Sequence, residues 1–197
     1  MKRKILVTTG TRAEYGILRQ LLFDMVKSKK IELILVVTGS HLSKKYGFTI
    51  QEIIQDGFKI NAKIKIEPKK DDAFSASMKI GKTTMGFSKI FKKFKPDINV
   101  IIGDRDEMLA SAIAASHMNI INAHIQGGDI SGGLDEYNRH AITKLSNIHF
   151  AATKKSMRRI LRMGENPKFV FQTGSLSIDE IKLNKITRKK ILEKKYD

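Results

Sequence analysis

The stretch INVIIGDRDEMLASAIAASHMNIINAHIQGG, residues 98–128, predicts a buried strand, a glycine turn, a helix and a second buried strand. Its two apolar runs are rich in isoleucine; the first ends in a Gly-Asp pair and the second in a glycine pair. The segment between them, from about residue 107 to 116, reads as a helix. Apolar runs separated by a helix in this way are typical of parallel strands that are buried on both faces of a sheet.

The same pattern recurs along the chain. Further strands are predicted at residues 5–10, 33–39, 148–153 and 169–175, with a more exposed strand at 59–68. Further helices are predicted at about residues 15–26, 43–55, 137–145 and 154–163, and a loop followed by a long helix at 71–94. This alternation predicts one α/β domain with a doubly wound, Rossmann-like parallel sheet.

Length and composition limit the class of protein. The chain has 197 residues, of which 41% are hydrophobic, enough for one sizeable core. The absence of cysteine excludes disulfides, zinc–thiolate sites and cysteine nucleophiles, and it fits a reducing compartment. No apolar run approaches the roughly 18 residues that span a bilayer. The apolar run after the basic start is too short for a signal peptide. We therefore expect a cytoplasmic protein without membrane contact.

A formal net charge of +17 raises the possibility of nucleic-acid binding. The lysines are spread through most of the chain, however, and mostly fall where helices should face solvent. The densest basic group is at residues 188–195. With no tryptophan and 4 tyrosines, a base-stacking platform is not evident. The pattern favours solvated helix faces, and nucleic-acid binding stays the disfavoured alternative.

Ligands of doubly wound sheets bind outside the carboxyl ends of the strands. The loops predicted there are GTRAEYG, GSHLS, GDRDE, HIQGGD and TGS, at residues 10–16, 39–43, 103–107, 124–129 and 173–175. They bring these ionisable residues to one edge: Arg12, His41, Asp104, Arg105, His124 and Asp129. Any one of them has an ordinary structural explanation, but glycines with ionisable residues in several loops indicate a site.

Two of these loops have residue types suited to an anionic ligand. Gly10, Thr11 and Arg12 open the first helix, where glycine lets a phosphate approach the backbone and arginine offers a planar fork for its oxygens. This stretch matches no nucleotide-binding fingerprint. Asp104 and Arg105 form either a local ion pair or a proton-transferring carboxylate beside a phosphate-binding arginine, and their position at a strand end favours the second interpretation.

The segment after the fifth predicted strand is the richest in candidate groups. Two glycine pairs make residues 127–133 a flexible loop that allows close approach. Asp135 is either the N-cap of the following helix or a functional acid. It is four residues from Arg139, so that the two could pair on a helix face. His140 is adjacent to Arg139, and either a structural or a catalytic role is open to it.

These stretches resemble the hydrolysing UDP-N-acetylglucosamine 2-epimerase family. The stretches that match are GTRAEYG, TGSHLS, GDRDEMLA, HIQGGDISGGLDEYNRHAITKLSNIHF and TGSLSID, in the family's order. The most specific block is RHAITKL at residues 139–145. The resemblance implies a glycosyltransferase-B-like enzyme of two Rossmann-like halves. An enzyme of this family is expected to eliminate UDP from the sugar-nucleotide and to add water to the resulting glycal. The product is N-acetylmannosamine, for the biosynthesis of sialic or nonulosonic acids. The chemistry requires no metal or nicotinamide, and no cofactor is expected.

The resemblance also assigns roles to single residues. Asp104 and Asp135 match catalytic acids, while Arg12, Gly16 and Arg105 match nucleotide-contacting positions. Arg139 and His140 match a signature whose individual roles stay open, and His41 lies in the matching TGSHLS stretch. Gln126 departs from the pattern, because many members have an acid there and an amide cannot transfer a proton. It could still hold the sugar, and Asp129, where the family often has glutamate, could contribute charge.

The candidate site consists of two sets of residues. The catalytic candidates are Asp104, Gln126, Asp135 and His140. The substrate-binding candidates are Arg12, Gly16, His41, Arg105, Asp129 and Arg139.

The resemblance covers only the N-terminal half of a family enzyme. We expect an epimerase domain at residues 1–178 and a basic helix at 179–197 that starts the interdomain connection, without the second domain. The half could act with a separate partner chain that supplies the second half. It could instead be an inactive truncated or split-gene fragment that binds a sugar-nucleotide or a partner. The expected ligand is UDP-N-acetylglucosamine or a related sugar-nucleotide. Family members often form homodimers, and the apolar stripe at residues 78–94 is a candidate interface, although burial within the domain is favoured.

Overall fold

The computed structural model describes residues 2–66, 70 and 72–183. Within them, parallel strands form one sheet in the order β3-β2-β1-β4-β5-β6-β7. The strands are β1 (Arg3–Thr9), β2 (Ile31–Thr38), β3 (Ile60–Ile64), β4 (Ile98–Ile102), β5 (Ile121–Ile125), β6 (Ile148–Ala151) and β7 (Val170–Gln172). The helices are α1 (Arg12–Lys27), α2 (Ile50–Gln55), α3 (Ala73–Phe94), α4 (Asp106–His117), α5 (Gly133–Lys144), α6 (Lys154–Arg162) and α7 (Leu176–Leu183).

The strand order reverses between β1 and β4. From β1 the chain adds strands outward to β3, then returns through α3 and continues on the other side of β1 from β4 to β7. The predicted doubly wound sheet is confirmed. In such a sheet the reversal leaves a crevice between the two strands at their carboxyl ends, which is where ligands bind.

Both faces of the sheet are covered, as the continuous apolar strands predict. On one face, Val7, Leu35 and their neighbours pack against Leu18 and Leu22 of α1. On the other, the strand residues that point the opposite way pack against α3, including the fully buried Phe87. Alternate strand residues therefore serve two separate cores.

A buried polar network joins the two strands that end at the candidate site. Nδ2 of Asn99 on β4 donates to Oδ1 of Asn122 on β5 at 2.9 Å and to Oγ of Ser111 on α4 at 3.0 Å. Nδ2 of Asn122 donates in turn to the backbone carbonyl of Leu145, just after α5. Because buried amides must be hydrogen-bonded, the network fixes the positions of β4, β5, α4 and α5 relative to one another.

The helix predicted at residues 43–55 is confirmed at residues 50–55 and wrong at residues 43–49. The chain forms two short 3-10 turns, Gly39–Leu42 and Lys44–Tyr46, and only then the six-residue helix α2. Gly47 and Phe48 have φ of 83° and 50°, a left-handed backbone that interrupts a right-handed helix. The helix α1 begins at Arg12, three residues earlier than expected, because Thr11 and Glu14 form a capping box.

The apolar stripe of α3 is divided between two environments. Phe87, Ile90 and Phe91 are buried in the core, as the favoured interpretation predicted. Met78 and Met85 are exposed, and Phe74, one turn before them, is exposed as well. These three side chains lie on one face of the helix, since their spacing of four and seven residues follows the helical period.

The predicted basic helix at residues 179–197 falls partly outside the described residues. The helix α7 is described to Leu183, and the rest of the prediction, with the densest basic group, lies beyond. Within the described portion, no helix is both long enough and apolar enough to cross a membrane.

Candidate active site

The first helix begins with a closed capping arrangement. Oγ1 of Thr11 accepts a hydrogen bond from the backbone N–H of Glu14. Oε2 of Glu14 accepts from the backbone N–H of Gly10 at 2.8 Å and of Thr11 at 3.0 Å. These two amides, which the sequence suggested for an anionic ligand, are therefore bound by the chain's own carboxylate. Arg12 lies beside them with an exposed side chain, and its Nε is 3.0 Å from Oε1 of Glu52.

Four charged residues form a group between the ends of β1 and β4, which we call the switch-point cluster. Glu107 on α4 is 2% exposed, and its Oε1 lies 2.7 Å from Nζ of Lys79 on α3. Nε of Arg105 lies 3.5 Å from Oε2 of Glu107 and 4.0 Å from Oε1 of Glu14. Burial raises the pKa of Glu14 to about 7. Burial also acts to raise the pKa of Glu107, but Lys79 and Arg105 outweigh it, so this pKa lies below its ordinary value.

Asp104 follows β4 and is held by an arginine from α5. Nη2 of Arg139 donates to Oδ2 of Asp104, and both side chains are largely buried. Nη1 of Arg139 donates to the carbonyl of Asp129 and to Oγ of Ser131, each at 3.0 Å. Arg139 therefore ties the carboxylate at the end of β4 to residues 127–133, which we call the glycine loop.

The interpretation of Asp135 as the helix N-cap is wrong. The residue at the N-cap of α5 is Gly132. The free amides of Ser131 and Gly132 donate to Oε2 of Glu136, at 2.9 and 2.7 Å. The longer side chain of Glu136 reaches back over the turn and binds these amides, which is the capping role predicted for Asp135.

Asp135 and His140 lie on α5, and Asp135 does not make the contact with Arg139 that the four-residue spacing predicted. Arg139 pairs with Asp104 and not with Asp135, whose side chain is exposed in the first turn. Nε2 of His140 lies 3.8 Å from Oε1 of Glu136. Within the described residues, the buried Nδ1 of His140 has no hydrogen-bond partner.

Gln126 and Asp129 flank the start of the glycine loop. Gln126 has a φ of 63°, unusual for a residue with a side chain, and its backbone N–H donates to the carbonyl of Phe150 at 2.9 Å. Its Nε2 lies 3.3 Å from Oγ of Ser175, in the loop after β7. Oδ1 of Asp129 accepts from Oγ of Ser156 at the start of α6. Gln126 thus joins two strand-end loops, and Asp129 fixes the loop to a helix.

The two histidines predicted at the edge are inside the protein. Nε2 of His41 lies 3.0 Å from Oγ1 of Thr9, and its Nδ1 lies 2.7 Å from Oγ1 of Thr49. Nε2 of His124 lies 2.8 Å from the carbonyl of Gly103, so this nitrogen carries the hydrogen. Burial lowers the pKa of each histidine to about 4. Both rings are therefore neutral near pH 7.

The structure divides the expected site residues by their contacts. One set is linked directly or through the glycine loop: Asp104, Asp129 and Arg139. A second set makes its contacts elsewhere: Arg12 with Glu52, His41 with Thr9 and Thr49, Arg105 with Glu14 and Glu107, Gln126 with Ser175, and His140 with Glu136. Gly16 lies within α1, with open space where a Cβ would stand.

Sequence reasoning missed Glu14, Lys79 and Glu107 as members of this edge. A signal for Glu14 exists, because Thr11 followed three residues later by glutamate is the pattern of a capping box. Lys79 has no such signal, since it arrives from a helix distant in sequence. Among the described residues, no three His, Cys, Asp or Glu side chains are grouped so as to hold a metal ion.

Comparison with known proteins identifies relatives across the chain. Residues 24–197 match the family model of UDP-N-acetylglucosamine 2-epimerase. The chain is 43% identical over 196 residues to the UDP-N,N'-diacetylbacillosamine 2-epimerase (hydrolyzing) of Legionella pneumophila, covering 100% of this chain and 52% of that protein. It is 40% identical over 201 residues to the GDP/UDP-N,N'-diacetylbacillosamine 2-epimerase (hydrolyzing) of Campylobacter jejuni, with 100% and 52% covered. The chain thus spans about half the length of the curated relatives it matches.

Solved structures give the same result for the fold. The UDP-GlcNAc 2-epimerase of Methanocaldococcus jannaschii, in complex with UDP-GlcNAc and UDP, superposes with a TM-score of 0.78 at 27% identity, over 98% of this chain and 51% of that one. The MurG of Acinetobacter baumannii superposes with a TM-score of 0.53 at 15% identity, over 79% and 43%, a likeness of fold alone. The expected half of a glycosyltransferase-B-type fold is confirmed. This chain belongs to the UDP-N-acetylglucosamine 2-epimerase family.

Proposed function

We propose that this chain supplies one half of the active site of a hydrolysing sugar-nucleotide 2-epimerase. The observation that carries the proposal is the contact of Arg139 with Asp104 and with the glycine loop. It fixes a carboxylate at the end of β4, on the edge where doubly wound sheets bind ligands. A carboxylate fixed in this way has the position that a proton acceptor needs.

The proposed reaction has two steps. A carboxylate removes the proton from C2 of the sugar while the bond between C1 and the diphosphate oxygen breaks, so that a C1–C2 double bond forms and the nucleoside diphosphate leaves. Water then adds its hydroxyl at C1, and a proton returns to C2 from the opposite face. We assign the proton transfers to Asp104 and Asp135, and stabilisation of the leaving diphosphate to Arg12 and Arg105.

The other candidates have supporting roles in this proposal. Gln126 holds the sugar by hydrogen bonds, because its amide cannot exchange a proton. Arg139 positions Asp104, and Asp129 shapes the glycine loop that faces the sugar. The imidazole of His140, on the same helix as Asp135, assists proton delivery. The two remaining positions, Gly16 and His41, support nucleotide binding from the β1 and β2 side.

The names of the relatives indicate the sugar. Two relatives at 43% and 40% identity act on UDP- or GDP-linked N,N'-diacetylbacillosamine, and a third, at 37%, is the polysialic acid biosynthesis protein P7 of Escherichia coli. We therefore propose UDP-N,N'-diacetylbacillosamine as the first substrate to test and UDP-N-acetylglucosamine as the second. We also propose a cytoplasmic role in sialic or nonulosonic acid biosynthesis, in keeping with these substrates.

Two exposed apolar surfaces suit the partners of this proposal. Ile130, Leu134 and Tyr137 are exposed around the start of α5, beside Asp135. A second half-domain, in the same polypeptide or a separate one, would cover them and close the site to water. The exposed face of α3 is the proposed homodimer contact, with Met78 and Met85 near its centre.

A second candidate function is a half-domain that binds a sugar-nucleotide or a partner without catalysis. The observation that favours it is the exposure of Asp135, which leaves a proposed acid in water. An exposed carboxylate lacks the water-excluded environment in which electrostatic stabilisation of a transition state is strong.

Turnover assays distinguish the two functions. The purified chain is incubated with each UDP-sugar, alone and with the separately produced second half of the Legionella relative, and released UDP is measured. We expect turnover only with the second half, and at least about a hundredfold loss for Asp104→Asn, in line with removal of a general base. Asp24→Asn, an exposed residue of α1, serves as the matched control and should keep full activity.

Each result has a defined meaning. Turnover that needs the second half and Asp104 supports the epimerase proposal. Absence of turnover in both arms, in a folded sample that binds UDP-sugars by NMR, contradicts it and supports the binding function. Turnover that survives Asp104→Asn would show that Asp104 has no part in proton transfer.

A further inference from the structure

The switch-point cluster contains two carboxylates and two cations from three parts of the fold. Glu14 comes from α1, Lys79 from α3, and Arg105 and Glu107 from the end of β4 and the start of α4. Gly39, with a φ of 60°, closes the group from above, because a Cβ there would lie 3.0 Å from Oε1 of Glu107. The cluster therefore stands at the carboxyl ends of β1, β2 and β4, at the reversal of strand order.

The two cations are held in different ways. Lys79 is enclosed and lies at hydrogen-bond distance from Glu107, at 2.7 Å. Arg105 is about half exposed, and its Nε is 3.5 Å from Glu107 and 4.0 Å from Glu14. Within the described residues, neither Oε2 of Glu107 nor Oε1 of Glu14 makes a hydrogen bond. The guanidinium is therefore attracted by both carboxylates and hydrogen-bonded to neither.

A purely structural explanation accounts for only part of this arrangement. The Lys79–Glu107 pair ties α3 to α4, which a structural ion pair would do. Buried ion pairs are weak sources of stability, however, and they hold best when every oxygen is hydrogen-bonded. Here two buried carboxylate oxygens face Arg105 without a hydrogen bond to it. This arrangement suits a guanidinium that can leave the carboxylates and bind an anion instead.

We infer that Glu107 is a positioning residue for the proposed reaction: it holds the Arg105 guanidinium at the switch point, ready for the diphosphate of a sugar-nucleotide. The inference rests on the proposed function and adds a residue that acts through Arg105. When a diphosphate binds Arg105, the two carboxylates lose part of the positive charge that faces them. Lys79 still neutralises Glu107, so Glu14 is the group that takes up a proton.

The charged groups around Glu14 make this exchange measurable. Arg105 lowers the pKa of Glu14 and Glu107 raises it, against a background of burial that places this pKa at about 7. Drawing Arg105 toward an anion therefore raises the pKa of Glu14 further. Binding of a nucleoside diphosphate should be accompanied by proton uptake near neutral pH, and it should tighten as the pH falls from 8 to 6.

The test uses UDP as the probe and the full chain as the protein. Affinity and proton uptake are measured by titration calorimetry in two buffers of different ionisation enthalpy, for the wild type and Glu107→Gln. We expect Glu107→Gln to weaken UDP binding about tenfold, as for a misplaced charged hydrogen bond, and to leave only the pH dependence that the terminal phosphate of UDP itself contributes. Glu107→Asp, which keeps the carboxylate, should recover part of both.

Measurements without ligand separate this inference from the proposed function. NMR follows the titration of the Glu14 carboxyl carbon and the mobility of the Arg105 Nε–H group. If the wild type alone does not bind UDP, turnover with the second half still decides the proposed function, and these signals still decide the positioning role. Glu107→Gln should lower the pKa of Glu14 and release Arg105. Unchanged signals, or unchanged UDP affinity and proton uptake in the variant, overturn the inference.

A second variant guards against misfolding. Glu107→Gln leaves Lys79 without its carboxylate, which destabilises a buried site. The double variant Lys79→Met/Glu107→Gln removes both charges and should fold. It should show the same release of Arg105 and the same weaker binding as the single variant, since Lys79 is not in contact with the guanidinium in the inferred mechanism. Wild-type behaviour of the double variant contradicts the role of Glu107.

Discussion

At the carboxyl edge of the sheet, the switch-point cluster and the glycine loop with the first turn of α5 differ in how far their carboxylates are buried. The switch-point cluster buries its two carboxylates and places a cation within 4.0 Å of each. The glycine loop and the first turn of α5 leave Asp135 exposed and are held by single hydrogen bonds, from Arg139, from Arg159 to the carbonyl of Gly128 and from Ser156 to Asp129. The β1 side of the site is therefore formed in advance, whereas the α5 side depends on these hydrogen bonds and, in the proposed function, on the second half that covers it.

The largest effect is expected from removing Arg139, which contacts both Asp104 and the glycine loop. Arg139→Met removes the guanidinium that binds Asp104 and the glycine loop, and it leaves a largely buried carboxylate without its partner. The free energy of unfolding should fall by about 3 kcal/mol, as for other broken buried pairs. Denaturant unfolding measures the change, and hydrogen exchange at Ser131 and Gly132 should accelerate.

The matched control for this prediction is Arg158→Met. Arg158 is exposed on α6, and its loss should change stability by less than about 0.5 kcal/mol. If Arg139→Met were no more destabilising than Arg158→Met, the glycine loop would not depend on Arg139, and the contrast between the two sides would disappear.

The second prediction concerns the buried side. The folded protein holds the Glu14 proton up to a pKa of about 7, against an ordinary value of 4.5. Between these values the folded state binds more protons than the unfolded state, so Glu14 makes stability fall as the pH rises from 4.5 to 7 and has no further effect above. The contribution is on the order of 3 kcal/mol.

Glu14→Gln isolates this contribution, because glutamine keeps the capping box and cannot titrate. From pH 5 to pH 8 the unfolding free energy of Glu14→Gln should rise relative to that of the wild type, because the variant lacks the Glu14 contribution that falls as the pH rises. Glu32→Gln, on an exposed residue of β2, should leave the pH dependence as it is. An identical pH profile for the wild type and Glu14→Gln would mean that Glu14 is ionised in the folded protein at pH 5. The switch-point cluster would then not hold a proton on Glu14.

The smallest effect tests the close packing above the cluster. Gly39 has a φ of 60°, and an added Cβ would lie 2.7 Å from the carbonyl oxygen of Gly10. We expect Gly39→Ala to destabilise the protein by about 2 kcal/mol, from the strained backbone and the contact together. Gly81→Ala makes the same chemical change in the exposed middle of α3, where it meets no described atom within 4 Å. It should stabilise by up to about 1 kcal/mol. Thermal unfolding of both variants gives the sign, and equal effects would contradict the crowding at Gly39.

The sequence predicts the sheet well because buried parallel strands must be apolar throughout, as in residues 98–102. The sequence also predicts which loops lie at the carboxyl edge of the sheet, because each of these loops directly follows an apolar strand. The partner of Arg139 was not predictable from helix spacing, which gives only neighbours on one helix, such as Asp135. The contact of Lys79 with Glu107 was not predictable either, because it depends on how α3 packs across the sheet. The helix predicted at residues 43–55 failed at residues 43–49 because a local backbone reversal at Gly47 outweighs an amphipathic pattern.

The reversal of strand order also has a consequence for synthesis of the chain. Ile5 of β1 pairs with Leu33 on one side and with Ile98 on the other. The second partner leaves the ribosome about 90 residues after the first strand, which takes roughly 5 to 20 seconds at ordinary translation rates. Through that interval one edge of β1 has no native neighbour, and an unpaired apolar strand is a site for aggregation. An interior strand of the finished sheet is thus an edge strand of the nascent one.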